Sequence, residues 1–402
     1  MKLYIIEEIG KLPRIDEDIH VGNVFQLRKY FSTLTMSFAL QIHITDRCNI
    51  SCQHCYNAKH KAVDMDFDLF KEAIDNFLLL AKTFRMNALI LVTGGEPTIH
   101  KNFYQMLNYL DQKMDEGFPI DVRILTNGTL IDRIMAENIS KNRSVSEIQV
   151  SIDGPKEIHD IIRGSGNWEK TIRAIKLLKE TEINVAMSCV ISKMNYKYAK
   201  EIVHVAVQNK IRRLNISRFV LIVGDGKQNQ IDKVLTTEQL KNTWAILYQE
   251  ASILVKNIFE GKSETYLNMQ RCDMWHLADE EHAIAQWVVP DSPRYLLQGL
   301  RCMVGVNILA ILPNGDIYPC RRLPIKLGNL KEDNIKSLWM NNSFLKDFRN
   351  RESNMSGKCN ECSFFKDKKY KMLCSGGGAC MSFALGKTIY DPDPQCWKEV
   401  IF

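Results

Sequence analysis

Six short apolar runs, separated by segments with helical spacing, limit the possible folds of this sequence more than any other feature. The runs lie at residues 40–45, 88–95, 122–129, 147–154, 183–192 and 213–222. Runs that are apolar on both faces are typical of parallel strands, because helices cover both sides of a parallel sheet. We therefore expect an α/β fold with a partial (β/α)6 barrel, in which ligand-binding residues follow the carboxyl ends of the strands. Asp66 is expected to cap the first helix of this series.

The alternation of strands and helices ends near residue 225, and a different pattern follows. A helix is expected to begin near residues 236–240, whereas residues 261–300 have only weak periodicity. Beyond Cys302 the sequence has short apolar runs, glycine-rich turns and many cysteines, which is typical of a small cysteine-rich α+β domain. We expect four parts, namely an N-terminal segment (1–38), the barrel (39–225), bridging helices (226–300) and the cysteine-rich domain (301–402).

Composition and charge exclude several classes of protein. Hydrophobic residues make up 45% of the 402 residues and charged residues 25%, which is ordinary for a globular protein and excludes a largely disordered chain. The sequence has no secretory signal and no apolar stretch long enough to span a membrane, so we expect a cytoplasmic protein. The formal net charge of +6 is small and not clustered, so nucleic acid is not an expected partner.

The twelve cysteines are clustered rather than scattered. The first group follows the first predicted strand and contains Cys48, Cys52 and Cys55. The second group occupies the last 101 residues and contains Cys302, Cys320, Cys359, Cys362, Cys374, Cys380 and Cys396. Only Cys189 and Cys272 stand apart. In a reducing compartment, this clustering favours metal ligation over disulfide bonds.

The first cysteine group has the spacing of a metal-binding loop. Three thiolates on one short loop can hold three corners of a cubane iron–sulfur cluster and leave one iron open. The alternative is a zinc site that His54 or His60 completes.

A second motif, at residues 93–97, favours the iron–sulfur interpretation. It reads Thr-Gly-Gly-Glu-Pro and ends the second predicted strand. Gly94 and Gly95 permit a close approach of the backbone to a ligand, and Glu96 can offer a carboxylate to an ammonium group. Such a motif is weak alone, but it is specific when it follows a CX3CX2C loop by one β/α unit.

The two motifs together resemble the radical S-adenosylmethionine (SAM) superfamily, and the resemblance covers roughly residues 40–225. It implies that Cys48, Cys52 and Cys55 ligate a [4Fe-4S] cluster whose open iron chelates SAM. It also implies that Gly94, Gly95 and Glu96 contact the methionine amine of SAM. The reduced cluster would then split SAM into methionine and a 5'-deoxyadenosyl radical, which abstracts hydrogen from a substrate.

The same resemblance suggests three further contacts with SAM. It implies that Ser151 meets the ribose and that Arg163 meets the SAM carboxylate. The alternative for Arg163 is a surface ion pair with Asp160 or Asp153. Asn127, at the end of the third predicted strand, is a candidate for contact with the nucleoside, with a plain turn as the alternative.

The late cysteines resemble the SPASM extension of radical SAM enzymes, in which seven cysteines ligate two auxiliary [4Fe-4S] clusters. A pair of structural zinc sites is disfavoured, because eight ligands are needed and no histidine follows His282. The resemblance implies a nearer cluster on Cys302, Cys320 and Cys380 and a farther cluster on Cys359, Cys362, Cys374 and Cys396. The gaps on either side of Cys374 depart from the CX2CX5CX3C spacing of the family, which leaves this pairing open.

The two isolated cysteines have competing interpretations. Cys272 either completes the nearer auxiliary cluster, which otherwise keeps an open iron, or is an inert buried thiol. Cys189 lies in the fifth predicted strand, where we expect core packing, with hydrogen-atom donation to a product radical as the alternative. Ser188 would then belong to the opposite face of that strand.

The resemblance implies a reaction class but not a substrate. SPASM proteins usually modify peptides, so our leading hypothesis is maturation of a ribosomally made peptide by thioether or carbon–carbon cross-linking, epimerisation or oxidation. Sulfatase-maturating enzymes are disfavoured, because Arg321 stands where that family has an aspartate base. Decarboxylases of tetrapyrrole side chains, of the siroheme or heme type, are the second hypothesis, since Arg321 and Arg322 can bind propionates. A solvated loop or an interface salt bridge is the alternative for this arginine pair.

A noncatalytic iron–sulfur or zinc scaffold is the remaining class. No residue is assigned as catalytic acid, base or hydrogen donor. The expected partners are a precursor peptide or protein and a reductant such as flavodoxin or ferredoxin. The 38 residues ahead of the barrel are too few for the leader-binding domain of many peptide maturases. We therefore expect a separate leader-recognition protein or leader-independent binding.

Overall fold

Seven parallel strands form the centre of the structure, a computed structural model that describes residues 37–57, 63–222, 230–269, 302–366, 374 and 376–398. The strands are β1 (Ser37–Thr45), β2 (Asn87–Gly94), β3 (Ile120–Thr126), β4 (Val145–Ser151), β5 (Asn184–Ile191), β6 (Arg213–Arg218) and β7 (Tyr266–Met269). Each pairs in parallel with the next in sequence. The predicted α/β class is therefore confirmed, and all six predicted strands are present.

Helices connect these strands, as expected for a partial barrel. They are α1 (Phe67–Thr83), α2 (Phe103–Asp115), α3 (Arg133–Ser140), α4 (Lys156–Arg163), α5 (Asn167–Glu180), α6 (Ala199–Gln208) and α7 (Thr237–Phe259). Asp66 caps α1 as predicted, because its carboxylate accepts a hydrogen bond from the backbone N–H of Asp68 at 2.8 Å. Thr236 and Gln239 form a capping box that starts α7.

Side chains alternate between the helix-covered side of the sheet and its inner side. On β1, Ile42 and Ile44 are completely buried in the hydrophobic core, so the intervening His43 faces the inner side. On β5, Cys189 is completely buried in the same core, which agrees with the packing role expected for it. Ser188 therefore faces the inner side.

The cysteine-rich part extends the same sheet beyond β1. It contributes β8 (Ile308–Ile311), β9 (Asp316–Tyr318) and β10 (Gly328–Asn329), followed by the helices α8 (Ile335–Asn341), α9 (Ser343–Arg349), α10 (Ser363–Lys366) and α11 (Ala379–Ala384). β8 runs parallel to β1, with Ala39 opposite Ile308, and β9 and β10 continue in antiparallel fashion. The boundary proposed at residue 301 is therefore followed by strands of the same sheet as the barrel.

Several expectations concern residues outside the described ranges. They include most of the N-terminal segment, His60, and Cys272 in the proposed bridging region. Within the described ranges, no helix is long and apolar enough to cross a membrane.

Candidate cofactor site

The three-cysteine loop follows β1 and lies directly against the loop that follows β2. The backbone N–H of Gly95 donates to the carbonyl oxygen of Thr45 at 2.7 Å, and that of Glu96 donates to the carbonyl oxygen of Arg47 at 2.8 Å. A Cβ atom on Gly94 or Gly95 would lie 2.3 Å from one of these two oxygens. Glycine is needed here because the cysteine loop approaches this backbone so closely.

The thiols of Cys48, Cys52 and Cys55 interact electrostatically with one another. Burial raises the pKa of Cys52 to about 11, and the nearby Arg163 opposes this shift. The Nδ2 atom of Asn127 lies 3.8 Å from Cys48 Sγ, and the Nη1 atom of Arg163 lies 3.8 Å from Cys52 Sγ. N–H donors and a cation beside the sulfurs suit thiolate ligands, which metal binding deprotonates. Among the described residues, no three potential ligand side chains are positioned to hold a single metal ion.

Glu96 joins the loops after β2 and β3. Its carboxylate is fully buried and accepts hydrogen bonds at 2.7 Å from Thr126 Oγ1, Asn127 N and Thr98 Oγ1. A fourth comes from Thr98 N at 3.3 Å. Burial raises the pKa of Glu96, and these hydrogen bonds oppose the shift. Three of these hydrogen bonds end on Oε1, and within the described residues Oε2 accepts only the one from Asn127 N. Glu96 therefore connects the two loops, and the contact of its carboxylate with the methionine amine stays a prediction.

Asn127 and Ser151, the two predicted nucleoside contacts, lie at the carboxyl ends of β3 and β4. The Nδ2 atom of Asn127 donates to Asn49 Oδ1 at 2.9 Å, and its Oδ1 atom accepts from Thr129 Oγ1 at 2.7 Å. Asn127 therefore connects its own loop to the cysteine loop, and it is more than a plain turn residue. Ser151 lies opposite Ser188 of β5, on the inner side of the sheet.

Arg163 ends α4 and forms a buried ion pair. Its Nε atom donates to Asp153 Oδ2 at 2.5 Å, and His54 Nε2 lies 3.4 Å from the same oxygen. Although burial alone would raise it, Arg163 and His54 hold the pKa of Asp153 at about 2. The ion pair with Asp153, expected only as a surface alternative, is thus buried and directs the guanidinium towards Cys52. The cation lies beside the cysteine loop.

The seven late cysteines form two groups. Cys302, Cys320 and Cys380 pack into one small apolar cluster with Val304 and Leu323, and Cys320 and Cys380 interact electrostatically with Cys302. The other four line a separate cavity, and these are Cys359, Cys362, Cys374 and Cys396. The grouping in space is the same three-and-four division that the SPASM resemblance implies.

Two family models match this chain. The model described as the radical SAM superfamily matches residues 42–206, and SPASM, described as an iron–sulfur cluster-binding domain, matches residues 302–363. The chain is a radical SAM protein with a C-terminal SPASM domain. Membership of these families implies iron–sulfur clusters and binding of SAM.

Relatives of this radical SAM protein carry out different reactions. The AdoMet-dependent heme synthase of Oleidesulfovibrio alaskensis is 25% identical, covering 88% of this chain and 85% of the relative. The mycofactocin maturase MftC of Mycobacterium tuberculosis is 26% identical, covering 90% and 83%. The structure of Streptococcus suis SuiB bound to the precursor peptide SuiA matches with a TM-score of 0.66 and 19% identity, covering 93% of this chain and 79% of SuiB. At that identity, the match to SuiB supports the fold alone.

An ion pair that sequence reasoning missed joins the barrel of this radical SAM protein to its SPASM segment. Arg218, at the end of β6, pairs with Asp393, and both side chains are almost completely buried. Arg218 Nη1 also donates to Gln395 Oε1 at 2.6 Å, and Gly378 N donates to Asp393 Oδ2 at 2.8 Å. A Cβ atom on Gly377 would lie 2.4 Å from Asp393 Cβ. The glycine run that departs from the family spacing therefore permits this contact.

Proposed function

We propose that this protein is an enzyme that cleaves SAM reductively and then abstracts hydrogen from a ribosomally made peptide. The observation that carries the proposal is the cysteine loop, held against the Gly94 and Gly95 backbone with N–H donors at two of its three sulfurs. When bound, the cluster supplies the electron that cleaves SAM. In this proposal Cys48, Cys52 and Cys55 are the ligands of that cluster.

The residues around the loop have distinct proposed roles. Asn127 and Arg163 stabilise the ligand thiolates by donating to or facing their sulfurs, and Glu96 keeps the loops after β2 and β3 together. Gly94, Gly95 and Glu96 are the proposed contacts of the methionine amine of SAM, and Glu96 Oε2, which accepts one hydrogen bond from Asn127 N, is the carboxylate oxygen that can also accept from this amine. Ser151, on the inner side of β4, is the proposed ribose contact.

Two auxiliary [4Fe-4S] clusters are proposed in the SPASM domain. Four thiols around one cavity are the ligand number of a complete cubane. The nearer group has three described thiols, so its cluster has either a fourth ligand outside the described residues, such as Cys272, or an open iron. A reductant such as flavodoxin or ferredoxin is the proposed electron source.

The substrate class rests on the relatives. A peptide is favoured because the relative MftC is a maturase by name. A separate leader-recognition protein is a proposed additional partner. The second candidate is decarboxylation of tetrapyrrole side chains, which the heme synthase relatives and the buried Arg321 favour.

The test is SAM cleavage by anaerobically reconstituted protein. Dithionite-reduced enzyme is expected to form 5'-deoxyadenosine and methionine, and replacement of Cys48, Cys52 and Cys55 by Ala should abolish both products. Ser140→Ala is the control, because it removes an exposed hydroxyl at the end of α3, far from the loop in sequence, and should leave cleavage intact. Continued deoxyadenosine formation by the triple variant would refute the proposal.

A further inference from the structure

His43 is a buried polar side chain that faces the inner side of the sheet. It lies near the carboxyl end of β1, paired in register with Thr93 immediately before the Gly94–Gly95 turn. Only 1% of the residue is exposed, and its Nε2 atom has no hydrogen-bond partner within the described part of the chain. An unpartnered ring nitrogen at this depth is costly, so its presence beside the proposed SAM site indicates a ligand.

Arg321 reaches the same place from the SPASM domain. It follows Cys320 and is 7% exposed, so the loop is not solvated at this residue. Its guanidinium carbon lies 4.8 Å from the centre of the Tyr56 ring, and that ring centre lies 6.2 Å from the centre of the His43 ring. Since Tyr56 follows Cys55, these three side chains meet between the first cysteine loop and the nearer auxiliary group.

The charge of this cluster selects an anion. Burial and the positive charge of Arg321 lower the pKa of His43 to about 3, so the imidazole is neutral at physiological pH and can donate one N–H. A guanidinium presents two parallel N–H groups that match the two oxygens of a carboxylate. A cationic ligand would be repelled by Arg321, and an apolar ligand would leave the His43 nitrogen unpaired.

We propose that Arg321 and His43 bind a carboxylate group of the substrate, with Arg321 pairing with the anion and His43 Nε2 donating to one of its oxygens. This inference rests on the proposed function, because it assigns the substrate of that same site. It specifies a substrate that carries a carboxylate close to the abstracted hydrogen. A peptide carboxylate and a tetrapyrrole propionate share this chemistry, and the experiment distinguishes them.

Binding to the reconstituted holoenzyme tests the proposal in the presence of SAM. The first pair of probes is Fe-coproporphyrin III and its tetramethyl ester, whose binding is measured by absorbance. The second pair is N-acetyl-Gly-Gly-Phe and its C-terminal amide, whose binding is measured by calorimetry. At least one free acid should bind roughly tenfold to hundredfold more tightly than its neutral partner, as expected for a charged hydrogen-bonded pair. The pair in which the free acid binds more tightly than its neutral partner identifies the carboxylate as a tetrapyrrole propionate or a peptide carboxylate.

Variants of Arg321 and His43 test whether these two residues cause the preference for the free acid over the neutral probe. Arg321→Gln and His43→Phe should each remove most of the preference for the acid, while His43→Gln, which keeps an N–H donor, should retain it to within about threefold. Arg321→Lys serves if Arg321→Gln does not fold, and it should weaken acid binding because the two-pronged geometry is lost. Iron content and circular dichroism verify each variant.

Two results would overturn the assignment. One is equal binding of acid and neutral probe in both pairs by the wild-type enzyme. The other is an acid preference that survives in both Arg321→Gln and His43→Phe. SAM cleavage by the wild-type enzyme is measured separately without a probe, so failure of the proposed function is distinguishable from failure of the carboxylate site.

Discussion

Breaking the buried ion pair between Arg218 and Asp393 should destabilise the protein strongly. In Asp393→Ala, the guanidinium loses a buried carboxylate that it contacts through two nitrogens, and the N–H of Gly378 loses its 2.8 Å acceptor. Removing one partner of a buried pair leaves an uncompensated charge, which costs about 3–5 kcal/mol. The double variant Arg218→Met/Asp393→Leu buries no charge and should recover most of that loss.

Urea unfolding under anaerobic conditions measures this effect, with circular dichroism and cluster absorbance as two independent signals. The matched control is Glu180→Ala, which breaks an ion pair with Arg133 whose side chains are both more than half exposed and should cost less than about 1 kcal/mol. An Asp393→Ala variant no less stable than the control would contradict this prediction. A double variant as unstable as Asp393→Ala alone would contradict it equally.

Three further perturbations test other parts of the structure. The pKa of His43 is depressed in the folded state, so the unfolded state binds more protons below pH 6.5 and the free energy of unfolding falls as the pH drops. His43→Gln should remove about 1.4 kcal/mol of the stability that the wild-type protein loses between pH 7.5 and 5.5, as measured by urea titrations at the two pH values. An unchanged pH dependence in this variant would contradict the prediction. Replacing Cys359 and Cys362 by Ala should lower bound iron yet leave some SAM cleavage, and an unchanged iron content would show that they are not ligands. Gly95→Ala should displace the cysteine loop at Arg47 and reduce SAM cleavage by tenfold or more, roughly 1.4 kcal/mol; activity equal to wild type would show that the loops tolerate the extra carbon.

Local sequence patterns predicted the strands and the first helix cap because these depend on neighbouring residues. The six long runs are apolar on both faces, and Asp66 needs only the backbone two residues away. β7 has four residues and too little periodicity to be recognised. The pairing of β8 with β1 joins residues about 270 positions apart, and a short strand carries no signal for its partner.

The candidate site was predictable as a set of residues but not as a set of contacts. The resemblance to the SPASM extension divided the late cysteines into the same two groups that the structure brings together. Two partners of Glu96, Thr126 and Asn127, lie about 30 residues away, so its role in connecting the two loops could not be predicted from the motif. Asp393 lies 175 residues from Arg218, and only folding brings these two charges together. His43 and Arg321 meet for the same reason.

Electron paramagnetic resonance of the reduced protein tests the central claim most directly. A variant in which all seven late cysteines are replaced by Ala isolates the signal of a cluster on the N-terminal loop. SAM should change the spectrum of this variant, because the proposed open iron would bind its amino and carboxylate groups. No change on addition of SAM, or zinc in place of iron in that loop, would contradict the account.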